Sequence, residues 1–334
     1  MLEPRPTLKA IGEKAGVSSM TVSLALRGDP RISKATRNRV RKAAERMGWR
    51  PNPVLSRMMS EIRRQGQGGF EEEVAVLTVQ PPEREEKGTY LPRLYDGIRD
   101  RLESLGYVQS WFHADEWVSK PVAFRTMLRT RGIRGMVLCP FLPDAMLEAI
   151  EWDRLALAHL NAVHGSLQAH QAHPDQYHNM LLLLDALRER GYRRVGFATT
   201  LDIDERVEHR WLAGFLASQH RGDIDAIPPL IRPMHGITSD AFIAWCREHR
   251  PDAVITTRHE PVDWVRGLGK KAPDLFAPGS ASPLGPFAGI DEQVQVVGAA
   301  AVDLVTSQLL RNESGPPEHP KTILIQGRFV SAFH

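Results

Sequence analysis

The sequence predicts an α/β protein with a small, all-helical domain at its N-terminus. The chain has 334 residues, enough for about two domains. Short helix-like segments separated by turn residues fill the first 50 residues, and from Val74 onward apolar, β-branched runs alternate with helical segments. That alternation is typical of parallel sheets covered by helices on both faces.

The charge is distributed unevenly along the chain. The net charge is +3, but residues 1–64 contain 15 Lys and Arg against 5 Asp and Glu, and the remainder contains 28 against 35. A basic head on an acidic body indicates a head that contacts a polyanion. A solvated basic surface explains the same counts equally well.

Several classes of protein find no support in the sequence. No stretch approaches the roughly 18 apolar residues of a membrane span, and the segment MLEPRPTLKAIGEKAG has no apolar leader. Cys139 and Cys246 are expected to be buried thiols in a reducing compartment, so we expect a cytoplasmic protein with no membrane association.

Enzyme motifs such as GxSxG or a P-loop are absent, so we expect no enzyme and no cofactor. Five histidines between His159 and His178 lack the helical i, i+4 pairing of a zinc site, so no metal is predicted.

The head is predicted to contain three short helices. Thr7 can cap the first, Gly16 can end it with a positive φ, and Ser18 and Ser33 can cap the second and third. Two helices joined by a tight glycine turn, with a third beside them, are typical of a helix-turn-helix unit.

The second of these helices begins with more small polar residues than capping requires. Ser19, Thr21 and Ser23 follow the capping Ser18. Short side chains at a helix N-terminus allow its free N–H groups to approach phosphates and base edges.

The stretch TLKAIGEKAGVSSMTVSLALRGDPRISKATRNRVRKAAERMGWRPNP resembles the DNA-binding head of the lactose-repressor (LacI/GalR) family of bacterial transcription regulators. The matching elements are AGVS, TVS, RIS, T-R-x-x-V, AAE-x-x-G and PNP at the family's spacing. The resemblance implies that bases are read by Ser19, Met20 and Leu24. It implies phosphate contacts by Thr7, Ser18, Thr21, Ser23, Arg31, Ser33 and Thr36. Leu24 departs from the polar reader of several members, because an apolar side chain contacts a thymine methyl but cannot hydrogen-bond guanine.

Residues 51–70 resemble the family's hinge helix and linker. The resemblance implies a minor-groove contact by Asn52, Leu55 and Met58, with Met58 as the wedge between central base pairs. From the residues alone, packing of one hinge against another is the simpler explanation of these apolar side chains.

Residues 71–334 resemble the family's effector domain more weakly. The implied fold is that of periplasmic sugar-binding proteins, with two lobes, three crossing strands and a ligand cleft between the lobes. The expected division is a DNA-binding head over 1–50, lobe 1 over about 71–161 and 286–315, and lobe 2 over about 162–285 and 316–334.

Six residues are candidates for lining the cleft: Trp111, Phe141, Asp175, Arg206, Trp211 and Asp291. Asp175 is equally well explained as a helix cap, and each aromatic residue as core. Trp211 stands where many members carry an arginine that grips the effector, and an indole cannot make that bidentate contact. The segment PDLFAPGSASPLGP carries four prolines where the family has a strand, which predicts that no regular strand forms there.

Together these features predict a homodimeric transcription regulator, expected to be a repressor, that binds an inverted-repeat operator in double-stranded DNA. A small ligand in the cleft is expected to control operator affinity, with a carbohydrate as the expected class. Two alternatives stay open: a DNA-binding regulator whose cleft is degenerate, and a small-molecule binding protein.

Overall fold

The structure, a computed structural model, describes residues 8–26, 31–47, 72–84, 89–148, 150–160, 168–234, 236–279 and 287–331. Four predicted site residues lie outside these ranges: Thr7, Asn52, Leu55 and Met58. Met20 and Ser23 are placed in a helix, but their side chains are outside what the structure describes.

The N-terminal domain contains three helices, α1 (Leu8–Ala15), α2 (Ser19–Leu26) and α3 (Lys34–Arg46). They pack around one small core, which consists of Ile11, Ala15, Val22, Ala25, Val40, Ala43 and Ala44. Helices of this length are marginal in isolation, so the shared core is what stabilises them. The predicted helix-turn-helix head is confirmed.

The first lobe is built on a six-stranded, wholly parallel sheet with the order β11-β5-β4-β3-β1-β2. Its strands are β1 (Glu73–Thr78), β2 (Val108–His113), β3 (Gly135–Leu138), β4 (Ala156–Leu160), β5 (His170–Pro174) and β11 (Thr322–Ile325). Helices α4 (Tyr90–Leu105) and α13 (Val294–Arg311) cover one face. Helices α5 (Ala114–Trp117), α6 (Pro121–Thr130) and α7 (Asp144–Glu148) lie towards the other. Because both faces are covered, the inner strands are apolar and buried along their length.

The second lobe repeats this plan with the strand order β12-β10-β9-β8-β6-β7. Its strands are β6 (Val195–Thr200), β7 (Leu230–Arg232), β8 (Ala253–Thr256), β9 (Asp274–Ala277), β10 (Ala288–Asp291) and β12 (Arg328–Val330), of which β12 is antiparallel to β10. Its helices are α8 (Gln176–Glu189), α9 (Leu201–Arg206), α10 (Arg210–His220), α11 (Ser239–His249) and α12 (Pro261–Val265). The predicted two-lobed fold with parallel sheets is therefore confirmed.

The chain passes between the two sheets three times: from β5 into α8, from β10 into α13, and from β11 into β12. These positions differ from the expected lobe boundaries. Strands β5 and β11, expected in lobe 2, pair in parallel within the first sheet, and β10, expected in lobe 1, pairs with β9 in the second. Each crossing begins after a strand has ended. Strands β5 and β11 therefore lie wholly in the first sheet, and β10 lies wholly in the second.

The proline-rich segment does contain a strand, contrary to the expectation. Strand β9 lies between Pro273 and Pro278 and pairs with β8 on one side and β10 on the other. Because the prolines flank the strand, every residue inside it keeps its backbone N–H group. Whether a strand forms in this segment depends on where the prolines lie and not on how many there are.

Helices α4 and α13 approach each other closely at two glycines. A Cβ atom at Gly97 would lie 2.0 Å from the Gln295 carbonyl oxygen, and one at Gly298 would lie 2.4 Å from the Leu94 carbonyl oxygen. No side chain fits at either position, so these glycines bring the two backbones into direct contact.

None of the described helices is long and apolar enough to cross a membrane. No three described His, Cys, Asp or Glu side chains are grouped so that they could hold a metal ion.

Candidate nucleic-acid interface and interlobe cleft

The turn between α1 and α2 depends on two glycines. Gly16 has a φ of 65°, and the Val17 N–H donates to the Gly12 carbonyl at 2.9 Å. A Cβ atom at Gly12 would lie 2.6 Å from the Val17 carbonyl oxygen. The absence of a side chain at Gly12 therefore lets the turn fold back onto α1 and sets the direction in which α2 leaves it.

The start of α2 is polar and partly committed to capping. The Ser18 hydroxyl accepts a hydrogen bond from the Thr21 N–H at 3.1 Å and shares another with the Thr21 hydroxyl at 2.9 Å. Ser19 is exposed and Leu24 is half-buried. Ser18, Ser19 and Thr21 are thus brought together at one helix end, as the sequence predicts.

Helix α3 presents a basic surface beside this helix end. Ser33 caps it by accepting from the Thr36 N–H at 3.2 Å, and Arg31 is exposed just before it. Its exposed cations are Lys34, Arg39, Arg41, Lys42 and Arg46. Lys and Arg side chains at this density are suited to phosphate contacts, which position a protein on a duplex without reading its sequence.

Two of the predicted cleft residues meet at a contact between the lobes. Phe141 follows β3 of the first lobe with a φ of 70° and is 43% exposed. The guanidinium carbon of Arg206, at the end of α9 in the second lobe, lies 5.1 Å from its ring centroid. This cation–π contact joins the carboxyl-end side of one sheet to that of the other.

Asp291 lies at a crossing and is fully engaged with protein groups. One carboxylate oxygen accepts from Arg93 at 2.8 Å and from the Gln293 N–H at 3.1 Å, and the other accepts from Arg328. Burial alone would raise the pKa of Asp291, but these hydrogen bonds, with Arg93 first, hold it below its usual value. Since Arg93 belongs to α4 of the first lobe, Asp291 connects the lobes.

Asp175 and Trp111 are likewise committed to structure. Asp175 caps α8 by accepting from the His178 N–H at 3.2 Å, and its second oxygen lies 2.7 Å from His178 Nδ1. Trp111 packs edge-on against Tyr95 at 5.5 Å, on the face of the first sheet that α4 covers. The sequence analysis had left both of these roles open, a helix cap for Asp175 and a core position for Trp111.

Near the ends of β5 and β6 the structure buries polar atoms that find no hydrogen-bond partner among the described residues. Besides Gln176 Oε1, they are His173 Nε2, Asn179 Nδ2, Thr200 Oγ1, Asp202 Oδ1, Asp204 Oδ1 and Trp211 Nε1. We call these six atoms the unpaired polar cluster. Unpaired buried groups are rare and costly in native proteins, so a concentration of them indicates a site that a ligand or ordered water completes.

Two of these residues, Asn179 and Trp211, lie on the neighbouring helices α8 and α10. Gly214 of α10 packs on α8, since a Cβ there would lie 2.8 Å from the Tyr177 carbonyl oxygen, and Trp211 lies one turn earlier on the same face. Burial lowers the pKa of His173 in β5, and the charge of Arg210, the first residue of α10, adds to that effect. Within the turn between α9 and α10 the His209 ring nitrogen binds Asp204 at 2.7 Å.

Of the six cluster residues, the sequence identifies only Trp211. Thr200 carried a usable signal, since it stands at the end of the apolar and β-branched run VGFATT, where parallel sheets bind ligands. His173 carried none, because its strand reads HQAHP and is not an apolar run. Asn179, Asp202 and Asp204 lie within helices, where nothing in the sequence distinguishes them from ordinary polar residues.

Comparison with known proteins finds a family similar to the N-terminal head and curated relatives similar to part of the chain. Residues 7–52 match the family described as "Bacterial regulatory proteins, lacI family". The chain is 27% identical over 198 residues to the HTH-type transcriptional repressor CytR of Escherichia coli (strain K12), covering 58% of this chain and 53% of that protein. It is 30% identical over 149 residues to the HTH-type transcriptional regulator YkvZ of Bacillus subtilis (strain 168), covering 44% and 41%. The chain thus spans about half the length of the curated relatives that it matches.

Solved structures share the fold over almost the whole chain. The transcriptional regulator CelR in complex with cellobiose has a TM-score of 0.56 at 18% identity, with 98% of each chain covered. The lac repressor dimer bound to operator and the anti-inducer ONPF has a TM-score of 0.53 at 15% identity, also with 98% of each chain covered. The head is therefore similar in sequence to the family described as lacI bacterial regulatory proteins over residues 7–52, and the two lobes share the fold of these solved structures.

Proposed function

We propose that this chain is a DNA-binding transcription repressor, active as a homodimer, whose operator affinity is controlled by a small ligand bound between its two lobes. The observation that carries the DNA-binding part is the helix-turn-helix unit. The Gly12 contact fixes the direction of α2, and the exposed Ser19 stands at its free N-terminus. In units of this kind the second helix enters the major groove with its N-terminal residues against base edges.

The charge of the head supports the same proposal. The exposed cations of α3 lie on the domain that concentrates the positive charge of the chain, while the lobes are acidic. Phosphates would bind the head, and the body would be repelled from the duplex. The regulators CytR and lac repressor, which this chain resembles, are named as a transcriptional repressor and as an operator-bound dimer.

A dimer is proposed because one recognition helix reads too little DNA. Helix α2 has eight residues. It therefore contacts only a few base pairs, whereas two heads related by a two-fold axis read an inverted repeat with two half-sites.

Control by a ligand is supported by the unpaired polar cluster. A degenerate cleft would be expected to fill with apolar side chains or with polar groups that pair with one another, since each buried unpaired group costs about 1–3 kcal/mol. Ligand binding in such a cluster would recover that cost and would favour the arrangement of the lobes that completes it.

Selection of operator sequences from a randomised duplex library, followed by footprinting, tests the proposal. An inverted repeat protected by a dimer is expected, with an affinity that falls steeply with salt. A single asymmetric half-site protected by a monomer, or binding that is insensitive to salt, would contradict it.

Matched substitutions separate reading of bases from contact with phosphates. Arg31→Ala should weaken binding to all sequences by a similar factor, whereas Leu24→Ala should change the preferred bases. Lys321→Ala removes an exposed positive charge from the residue just before β11 in the body and serves as the control for net charge. Equal effects of Arg31→Ala and Lys321→Ala would show that the head makes no phosphate contact at Arg31.

A further inference from the structure

The first lobe has a pocket at the edge of its sheet that faces away from the interlobe cleft. The pocket opens between the end of α6, the start of β4 and the turn after α13, and its volume is about 500 Å³. Arg134 and Leu155 line it and immediately precede β3 and β4, so it lies at the amino ends of these strands, whereas the crossings between the lobes follow carboxyl ends. We call it the edge pocket. Its volume is in the range of pockets that hold small molecules.

The floor of the edge pocket is apolar. It is formed by four buried side chains, Leu128, Ile133, Leu155 and Leu309. Leu309 of α13 lies directly on the start of β3 because Gly135 carries no side chain, and a Cβ there would lie 2.9 Å from Leu309 Cδ1. The Ile133 N–H donates to the Leu128 carbonyl at 3.0 Å, which holds these two floor residues together after the end of α6. Such a floor favours a ligand with an apolar body, since contact with it removes apolar surface from water.

The rim of the edge pocket carries an excess of positive charge. The charged residues that line it are four arginines, Arg125, Arg129, Arg134 and Arg154, and three carboxylates, Glu151, Asp153 and Glu313. The lining therefore has one more positive charge than negative charges. A ligand with a single negative charge would balance it, and a ligand with two would leave an excess of negative charge.

Several arginines at the rim act on one carboxylate. The pKa of Glu151 is held below its usual value, first by the hydrogen bond from Arg129 and further by the charges of Arg154 and Arg125. The Arg129 Nε–H donates to Glu151 at 3.2 Å, so Arg129 has a fixed partner. Arg154 is exposed and makes no hydrogen bond or ion pair with any residue that the structure describes. Its guanidinium is therefore available to bind a carboxylate through two N–H groups.

We propose that the edge pocket is a second ligand site, separate from the interlobe cleft, that binds a small amphipathic monocarboxylate. The apolar body of the ligand covers the floor, and Arg154 donates to its carboxylate. A neutral counterpart loses the charge-assisted hydrogen bonds, and a dianion such as a phosphate ester is opposed by Glu151 and Asp153. No residue that we assign to the cleft or to the unpaired polar cluster lines this pocket, so the inference is independent of the proposed function.

Calorimetric titration of the full chain without DNA, at about pH 8, tests the ligand class. The probes are butanoate, hexanoate and octanoate, with octanamide as the neutral counterpart and octyl phosphate as the dianion. We expect octanoate to bind, with an affinity that falls about fourfold for each CH₂ group removed. Octanamide should bind about 10-fold more weakly or less, and octyl phosphate no more tightly than octanoate. Binding of no carboxylate, equal binding of butanoate and octanoate or of octanoate and octanamide, or tighter binding of octyl phosphate would overturn the inference.

Two arginines provide a matched pair of variants that locates the site. Arg134 is unsuitable, because its guanidinium donates to Glu72 and, at 3.3 Å, to Asn312 Oδ1. Arg154→Gln removes no described contact, so it should weaken octanoate by about 10-fold and leave the melting temperature unchanged. Arg247 of α11 in the second lobe is also exposed and without a bonding partner among the described residues, so Arg247→Gln is the control and should leave octanoate binding unchanged.

Glu151→Gln tests the same site in the opposite direction, since it removes the carboxylate that competes with the ligand for Arg129 and Arg154. We expect octanoate to bind several-fold more tightly to this variant. The inference is overturned if Arg154→Gln and Arg247→Gln have equal effects on octanoate binding, which would place the ligand elsewhere, or if Glu151→Gln weakens that binding.

Discussion

Replacing Asp291 by asparagine should weaken the connection between the lobes by an amount that the structure allows us to estimate. An asparagine can keep its oxygen towards Arg93 and the Gln293 N–H, but its amide group then faces Arg328. Arg328 is 63% exposed and can turn away into solvent, so its loss costs about 0–1 kcal/mol. Arg93 is only 18% exposed and loses a charge-assisted hydrogen bond, which costs about 1.5–3 kcal/mol. We therefore expect a total loss of about 1.5–4 kcal/mol in the free energy of unfolding.

Urea unfolding of the full chain, followed by circular dichroism, measures this loss. Asp303→Asn is the matched control, because Asp303 pairs with Arg101 at 2.7 Å with side chains that are 46% and 39% exposed. Neutralising that exposed pair should cost less than about 1 kcal/mol. Equal losses in the two variants would refute the argument that burial makes the Asp291 pair the stronger one.

The pH dependence gives a second check on the same residue. The pKa of Asp291 is lower in the folded state than in the unfolded chain, so its contribution is complete above the unfolded value and is lost as the pH falls through the folded value. The difference between wild type and Asp291→Asn should be constant from about pH 5 to pH 7 and should shrink below about pH 4. A difference that grows as the pH falls would contradict this sign.

Three further changes test other parts of the structure. Gly12→Ala should unfold the head and abolish operator binding although alanine favours helices by about 1 kcal/mol, because its Cβ meets the Val17 carbonyl. Gly267→Ala, with open space around its Cβ, is the control, and a more stable head in Gly12→Ala would refute the contact. Phe141→Leu keeps an apolar side chain without the aromatic face and should weaken ligand binding by about 2–5-fold, as measured by calorimetry. Cys139 and Cys246 should react with a thiol reagent only after denaturation, because burial raises the pKa of both thiols, that of Cys246 to about 12, and reaction of either in the folded protein would contradict that burial.

The sequence predicts the head and the alternation of the body well, because both depend on local signals. Apolar spacing, capping serines and a glycine at a helix end are properties of neighbouring residues, and α1 to α3 follow from them. The strands that sequence reasoning missed, or assigned to the wrong lobe, are those that pair with strands far away in the sequence. Strand β5, for example, joins the first sheet only because β4 and β11 flank it.

The candidate site shows the same difference between local signals, which the sequence carries, and contacts between distant residues, which it does not. Phe141 and Arg206 are predicted individually, but nothing local shows that they touch each other from different lobes. Asp291 is predicted as a ligand contact, and its engagement with Arg93 and Arg328 depends on side chains far away in the chain. A cluster defined by what its atoms lack, such as the one that contains Thr200, becomes visible only when the whole neighbourhood is known.

The order in which the chain weaves through its two sheets also governs how the protein can be made. The first sheet begins at Glu73 but is not complete until β11, and its covering helix α13 is synthesised after nearly all of the second lobe. A ribosome therefore exposes strands β1 to β5 with one apolar face lacking α13 while the second lobe is still emerging. The second lobe in turn waits for β12 at the end of the chain. Neither lobe can be cut out as a continuous fragment, and a chain truncated before β11 would leave two unfinished sheets with open edges, which are prone to aggregate.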